Sequence, residues 1–170
     1  SEMCIRDRSW PAGSSMPNMV GYSEDRFIPD LQDLTSRVHQ YGAKIAAQLN
    51  HSGKISQEDV DAGREIPVPS IPKMHPSDMF GLLTEAEIMN FIKAAGPDGK
   101  GPRYHELTTE EIKDEIEHFV SAAKRAVKSG FDSIEIHAGH GYLISSFLSP
   151  AVNRRTDEYG GSAEHRARLL

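Results

Sequence analysis

The stretch Gly130–Pro150, GFDSIEIHAGHGYLISSFLSP, decides the reading of this chain. After the glycine, Ile134 and Ile136 fall on one side of an extended segment and Ser133, Glu135 and His137 on the other, which is the period of a strand. If helices cover the apolar side, the polar side lines an interior. His140 and Tyr142 follow in a turn punctuated by Gly139 and Gly141, so two imidazoles and a phenol gather at one strand end. Two neighbouring imidazoles can donate hydrogen bonds to one carbonyl or nitro oxygen and stabilise negative charge that develops there, while a phenol can donate a proton. Two other readings of the segment stay open. His-x-x-His can ligate zinc, although no cysteine lies near it and the HExxH pattern is absent, and histidines at a turn can simply be satisfied by backbone carbonyls.

Upstream of this strand, Thr108 and Glu111 form a capping box, and Ile112, Ile116, Phe119, Val120, Ala123 and Val127 predict the apolar stripe of a helix that ends at Gly130. The same unit occurs earlier. Leu31, Leu34, Val38 and Tyr41 lie on one face of a helix expected over Pro29–Tyr41, Gly42 ends it, and AKIAAQLNH alternates Ile45, Ala47 and Leu49 against Lys44, Ala46, Gln48 and Asn50. Ser162 is a further helix N-cap. Repetition of helix, glycine and strand predicts an α/β fold with parallel strands. Between the units, Ser52–Leu107 is rich in Pro and Gly, with one short helical candidate from Thr84 to Ala95, and is read as an elaborated loop. Because it directly follows a strand it is expected on the functional face of a barrel, either as a lid or as a solvated insertion.

With 170 residues, 38% hydrophobic and 26% charged, the chain can build a core, yet it is shorter than the roughly 250 residues of a closed eight-stranded barrel. The net charge of −6 is spread without a Lys/Arg block, which argues against nucleic acid and for a small-molecule substrate. One cysteine, Cys4, excludes an internal disulfide framework, and no apolar run marks a membrane span or signal peptide, so the cytoplasm is the expected location. Ser1–Arg8, containing MCIRDR, shows no clear period and looks like translated linker sequence; residues 1–18 are therefore expected to be a disordered or non-native leader, with the folded domain over 19–170.

Three segments, AQLNHSGK (Ala47–Lys54), GFDSIEIHAGHGYLISSFLSP (Gly130–Pro150) and NRRTDEYGGSAEHRARLL (Asn153–Leu170), resemble signatures of the Old Yellow Enzyme family in order and spacing, from about Met19 to the last residue. The resemblance implies a (β/α)8 TIM barrel, present here in part, with FMN over the C-terminal strand ends and hydride passing from NADH or NADPH through the flavin to an electron-poor alkene. It places Gln48 at the glutamine that contacts the flavin pyrimidine, His137 and His140 at the pair that holds the substrate's activating oxygen, and Tyr142 at the proton donor. His51 is read as structural, and the RTDEYGGS run (Arg155–Ser162) as architectural. Two departures are His165, where the family usually has asparagine, and a longer loop from about Asp78 to Gly101.

The chain is expected to hold about three of eight strands and one wall of the site, and to be inactive by itself. Alternatives are a non-catalytic barrel remnant or binding module, and the barrel part of a longer flavoenzyme resembling dienoyl-CoA reductases or amine dehydrogenases, with Fe–S and FAD beyond this segment. A metal-dependent hydrolase ranks last. A homo-oligomer of the full-length protein is a further expectation.

Overall fold

The frame is set by two helix–glycine–strand units lying side by side. In this computed structural model, residues 2–8, 20–73, 84–86, 89–90 and 101–170 are described. Helix α1 (Ile28–His39) opens with Pro29 in its first turn, where the missing N–H has no intrahelical acceptor to lose. Gly42 (φ 68°) then turns the chain into strand β3 (Lys44–Asn50). Ile45, Ala47 and Leu49 are at most 1% exposed and pack with Leu31, Ile112, Phe119, Ala122 and Ala126 in one core.

The long helix α3 (Thr109–Lys128) starts at the expected capping box: Thr108 Oγ1 accepts from the Glu111 N–H at 3.2 Å, and Glu111 Oε2 accepts from the Thr108 N–H at 2.8 Å. Its buried line is Ile112, Glu115, Phe119, Ala122 and Ala126, so the stripe is rotated from the one read in the sequence. Val120 and Val127 stand 37% and 65% exposed. Alanines at the seam let the helix backbone approach the sheet, and an apolar arc wider than the contact leaves periodicity unable to choose its centre. Thr35 Oγ1 donates to Ser129 O at 2.6 Å and ties α1 to the end of α3 just before Gly130.

Strand β6 (Ser133–Ile136) pairs parallel with β3, Ala46 opposite Ser133 and Gln48 opposite Glu135. Asp132, at its start, accepts from Lys44 Nζ at 2.7 Å and from the Ile45 N–H at 3.0 Å, and it bonds His39 Nε2 at 2.7 Å. Those bonds hold its carboxyl well below the usual carboxylate range.

The first described residues join the sheet. Residues Glu2–Arg8 run as strand β1, parallel to β3 from Glu2 opposite Lys44 to Arg8 opposite Asn50, and Val20–Gly21 adds a short strand β2 beyond it. A charged, unperiodic segment gives no strand signal of its own, and its pairing comes from the ladder groups that β3 presents. Residues 9–18 of the expected leader lie outside the described residues. The sheet order is β2-β1-β3-β6, all parallel, with α1 and α3 on one face; among the described residues it is an arc and not a closed barrel.

The segment after β3 is also more regular than expected. A 3-10 turn (Gly53–Ile55) and helix α2 (Gln57–Asp61) lead to strands β4 (Glu65–Val68) and β5 (Arg103–Glu106), which form a separate parallel pair. Pro67 breaks the strand pattern of the first and RYHE has no apolar alternation, so neither announces itself. Of the expected helix from Thr84, residues 85–86 and 89–90 are helical and the rest lies outside the described residues. Helices α4 (Leu143–Leu148) and α5 (Ala163–Arg166) close the chain, α5 capped by Ser162 Oγ on the His165 N–H.

Glu115 is the unusual member of the α3 line. Burial, helped by Asp114 and Glu111, pushes its carboxyl up to about 7, and His118 Nδ1 at 3.6 Å stands beyond hydrogen-bond reach. Ionisation is harder in the folded chain than in the unfolded one, so stability falls as pH rises from the unfolded carboxyl value towards 7 and is not regained above it. In the full-length protein Glu115→Gln is expected to stabilise by about 3 kcal/mol at pH 8 and by almost nothing at pH 4, read from denaturant midpoints. An equal effect at both pH values would contradict the burial of an ionisable carboxyl here.

Candidate functional site

The ladder between β3 and β6 continues one bond past the strands, with the His137 N–H donating to Leu49 O at 2.9 Å. That bond fixes His137 on the face it shares with Glu135, opposite the helices. His137 is 9% exposed. The chain then reverses through two consecutive left-handed residues, His140 (φ 57°) and Gly141 (φ 74°). Glycine adopts that backbone freely, whereas a histidine there is held by its surroundings. The Gly141 N–H donates to Ser145 Oγ at 3.2 Å and Ser146 Oγ donates to Gly141 O at 3.1 Å, both from the first turns of α4.

The reversal brings the three ring side chains together. His140 Nδ1 and His137 Nε2 are 3.1 Å apart, with ring centroids 5.0 Å apart and planes 33° apart. The Tyr142 ring, 8% exposed, stands edge-on to His137 at 5.0 Å and lies 6.5 Å from His140. At the matching end of β3, Gln48 Nε2 donates to Glu135 Oε1 at 2.6 Å. Gln48 and Glu135 are register partners, and His137 is two residues on from Glu135 along the same face. The structure therefore gathers His137, His140 and Tyr142 into one cluster and places Gln48 on the neighbouring strand of that face.

Glu135 went unremarked as a partner for Gln48 in the sequence, although the alternation already put it on the polar face. The support under Tyr142 gave less signal. His51 is 2% exposed, its Nδ1 accepts from the Gly53 N–H at 3.0 Å, and its carbonyl accepts from the Leu143 N–H at 3.0 Å. Burial lowers its pKa to about 4, only partly offset by Asp59, so the ring is neutral at pH 7 and can accept at Nδ1. The reading of His51 as structural agrees with this geometry.

The RTDEYGGS run is a brace. The Arg155 side chain is 6% exposed and donates to Pro69 O, Leu107 O and Asp157, joining the β4–β5 segment to the end of α4. Asn153 Nδ2 donates to Phe147 O and Tyr159 O, each at 2.8 Å, and a Cβ at Gly160 would overlap the Arg155 carbonyl. Among the described residues no group of three or more His, Cys, Asp or Glu is arranged to hold a metal ion.

Comparison with known proteins shows the family. The profile of the NADH:flavin oxidoreductase / NADH oxidase family matches residues 7–170. The chain belongs to this family. It is 38% identical over 160 residues to an NADPH dehydrogenase of Halalkalibacterium halodurans, covering 94% of this chain and 39% of that protein. An NADPH dehydrogenase of Clostridium acetobutylicum is 41% identical over 160 residues, with 94% and 40% covered. An NADH oxidase of Thermoanaerobacter brockii is 36% identical, with 94% of this chain but 21% of that protein covered. In structure, Old Yellow Enzyme from Pichia sp. AKU4542 superposes with a TM-score of 0.79 and 29% identity, over 99% of this chain and 41% of that one. The chain thus spans about two fifths of the first of these relatives and is part of a TIM barrel.

The residues present fit the family's flavin. Gln48 offers an amide with both donor and acceptor capacity, which suits a ring edge that alternates carbonyl and N–H groups. Below it on the same face stand Ala46 and Ser133, register partners whose small side chains leave the surface low.

Gly53 tests how tightly the two strand ends are locked. It has φ 53°, and a Cβ there would lie 2.7 Å from the Leu143 backbone nitrogen. Gly53→Ala in the full-length protein is expected to cost about 2 kcal/mol in denaturant unfolding and to loosen the ring cluster as the Leu143 bond to His51 shifts. Unchanged stability together with an unchanged crystal structure would show that this close approach constrains nothing.

Proposed function

We propose that the protein carrying this chain is a cytoplasmic FMN-dependent oxidoreductase that takes hydride from NADH or NADPH and delivers it to an α,β-unsaturated carbonyl or a related electron-poor substrate. The observation that carries this reading is the His137–His140 pair with Tyr142 against it, at the C-terminal end of β6 and on the face that holds Gln48. Bound FMN supplies the ability to store one hydride and pass it on. Gln48 would hold and orient its pyrimidine edge.

The substrate's carbonyl oxygen is received by the two imidazoles. In the structure one of their N–H groups is spent on the other ring, so binding opens that 3.1 Å contact and turns the proton towards the oxygen. As the β-carbon gains hydride, negative charge moves onto this oxygen, and donors already in place stabilise it there. Tyr142 O–H donates the proton to the α-carbon, completing saturation of the double bond. Tyr142 is buried and set against His137, which holds its ring in one orientation.

A second reading has one observation behind it. The Thermoanaerobacter brockii relative is much the longer protein, since the chain covers 21% of it, so the same segment also occurs within a larger architecture. Cysteine clusters in the full reading frame would identify an Fe–S and FAD form of that kind, and a colourless full-length protein would identify a non-catalytic remnant.

The full-length protein is expected to purify yellow, to bleach on addition of NADPH or NADH and to recover its colour with an enone. His140→Ala is expected to lower kcat/KM for the enone about 100-fold. His140→Asn, which keeps a donor and tolerates positive φ, is expected to recover part of the loss. Tyr142→Phe is expected to slow re-oxidation by the enone about 100-fold and to leave reduction by the nicotinamide unchanged. A yellow protein whose enone rate ignores all three substitutions would overturn the assignment. The isolated 170-residue chain, whose sheet order ends at β6 among the described residues, is expected to show no enone turnover with added FMN and NADPH, and turnover at full-length rates would contradict this.

A further inference from the structure

Next to the turn at Gly141 lies a cleft of ≈ 290 Å³ lined by Lys54, Pro72, Lys73, Ala151, Val152 and Arg154. Three of its six lining residues are cations and none is an acid, in a chain whose net charge is −6. Elsewhere six described cations stand against carboxylates, Arg26 on Glu24, Arg37 on Asp33, Lys44 on Asp132, Arg64 on Asp59, Arg125 on Asp25 and Arg168 on Glu158, while Arg103 and Arg166 donate to backbone carbonyls without converging on a shared cleft. No ion pair among the described residues involves Lys54, Lys73 or Arg154.

The three charges are held differently. Arg154 is anchored from behind: its backbone N–H donates to Ser70 Oγ at 3.0 Å, and its guanidinium donates to the carbonyls of Val152 and Ile71, which fixes the group without neutralising it. Lys54 is half-buried in the 3-10 turn after β3, and its Cε and Nζ lie 3.6 and 3.9 Å from where a Cβ on Gly141 would stand. Gly141 follows His140 in the chain, so Lys54 lies against the turn that carries the histidine pair and also lines the cleft. Lys73 is exposed at the rim.

We propose that this cleft is an anion subsite, which receives a phosphate or carboxylate of a ligand whose reacting end lies at His137 and His140. The reacting end rests on the reading under Proposed function, but the anion site stands on its own charges. Pro72 and Val152 are half-buried and Ala151, Lys73 and Arg154 exposed, so an oxyanion would be held by the three converging charges in a site open to solvent and salt. Two sources share this chemistry: the pyrophosphate or 2′-phosphate of the nicotinamide donor, and an acid group on the substrate.

The test uses the full-length protein and inorganic pyrophosphate as probe, measured by titration calorimetry on wild type and on Lys73→Glu and Lys54→Gln. Wild type is expected to bind with salt-sensitive affinity, Lys73→Glu at least tenfold more weakly and Lys54→Gln severalfold more weakly. Absence of binding at millimolar pyrophosphate, or equal affinity in all three proteins, would overturn the subsite whether or not the enzyme reduces enones. Steady-state KM values for NADPH, NADH, the neutral 2-cyclohexenone and an anionic enoate then separate the sources. In Lys73→Glu a raised KM for the nicotinamides alone assigns the dinucleotide, and a raised KM for the enoate alone assigns the substrate acid. A KM raised equally for 2-cyclohexenone would mean general damage and also overturns the proposal. Failure of any enone to react defeats the reading of the reaction and leaves the pyrophosphate result to decide the subsite.

Discussion

The parallel pairing of β3 with β6 is the constraint on which the remaining features depend. Side chains alternate along a strand, so shifting this register by one residue would move Gln48 away from Glu135 and turn His137 into the helices. What fixes the register is the other face. Ile45, Ala47 and Leu49 on β3 have to meet the alanines of α3 and Leu31 of α1, and burial of those side chains is worth far more than any polar contact opposite. Asp132 adds a second lock at the entry of the two strands, with its own N–H donating to Ile45 O and its carboxylate gathering Lys44, His39 and the Ile45 N–H. The core therefore selects the geometry of the polar face without touching it.

The sequence was most legible where a local rule coincided with the tertiary demand. The capping box at Thr108, the glycine after each helix, and the two alternating strands all appear within a residue or two of their expected places, because cap, helix and buried face agree. It was least legible where stability is borrowed from a neighbour. Strands β4 and β5 contain Pro67 and a polar RYHE, and are held by each other and by Arg155 from beyond α4, which donates to the carbonyls that follow each strand. Residues Glu2–Arg8 likewise have no pattern of their own and take their conformation from β3. Periodicity cannot report a partner that lies 50 or 90 residues away.

The site divides along the same line. His137, His140 and Tyr142 could be named because a glycine-punctuated turn after a strand is a local feature. That His140 itself takes the left-handed conformation, and that the ring of Tyr142 is steadied through Leu143, His51 and Gly53, are long-range facts with little local trace. His51 faces the core in the sequence pattern and is buried there, yet its backbone carbonyl reaches across to the turn. It thus serves the packing of one face and the positioning of the other.

That double role explains why the turn can tolerate strain. A non-glycine residue at φ 57° has a conformational cost, which persists only if the flanking chain is held on both sides. On one side the His137 N–H is bound to Leu49 O; on the other, Gly141 is clasped by Ser145 and Ser146 and Leu143 is bound to His51. Both anchors originate in β3 or in the helix packed over its end, so the strained residue sits on a rigid ladder instead of a free loop. Under the proposed function, a ring held in this way would lose little further freedom when an oxygen replaced its neighbour as hydrogen-bond partner, since donors preorganised before a substrate arrives are those that stabilise developing charge best.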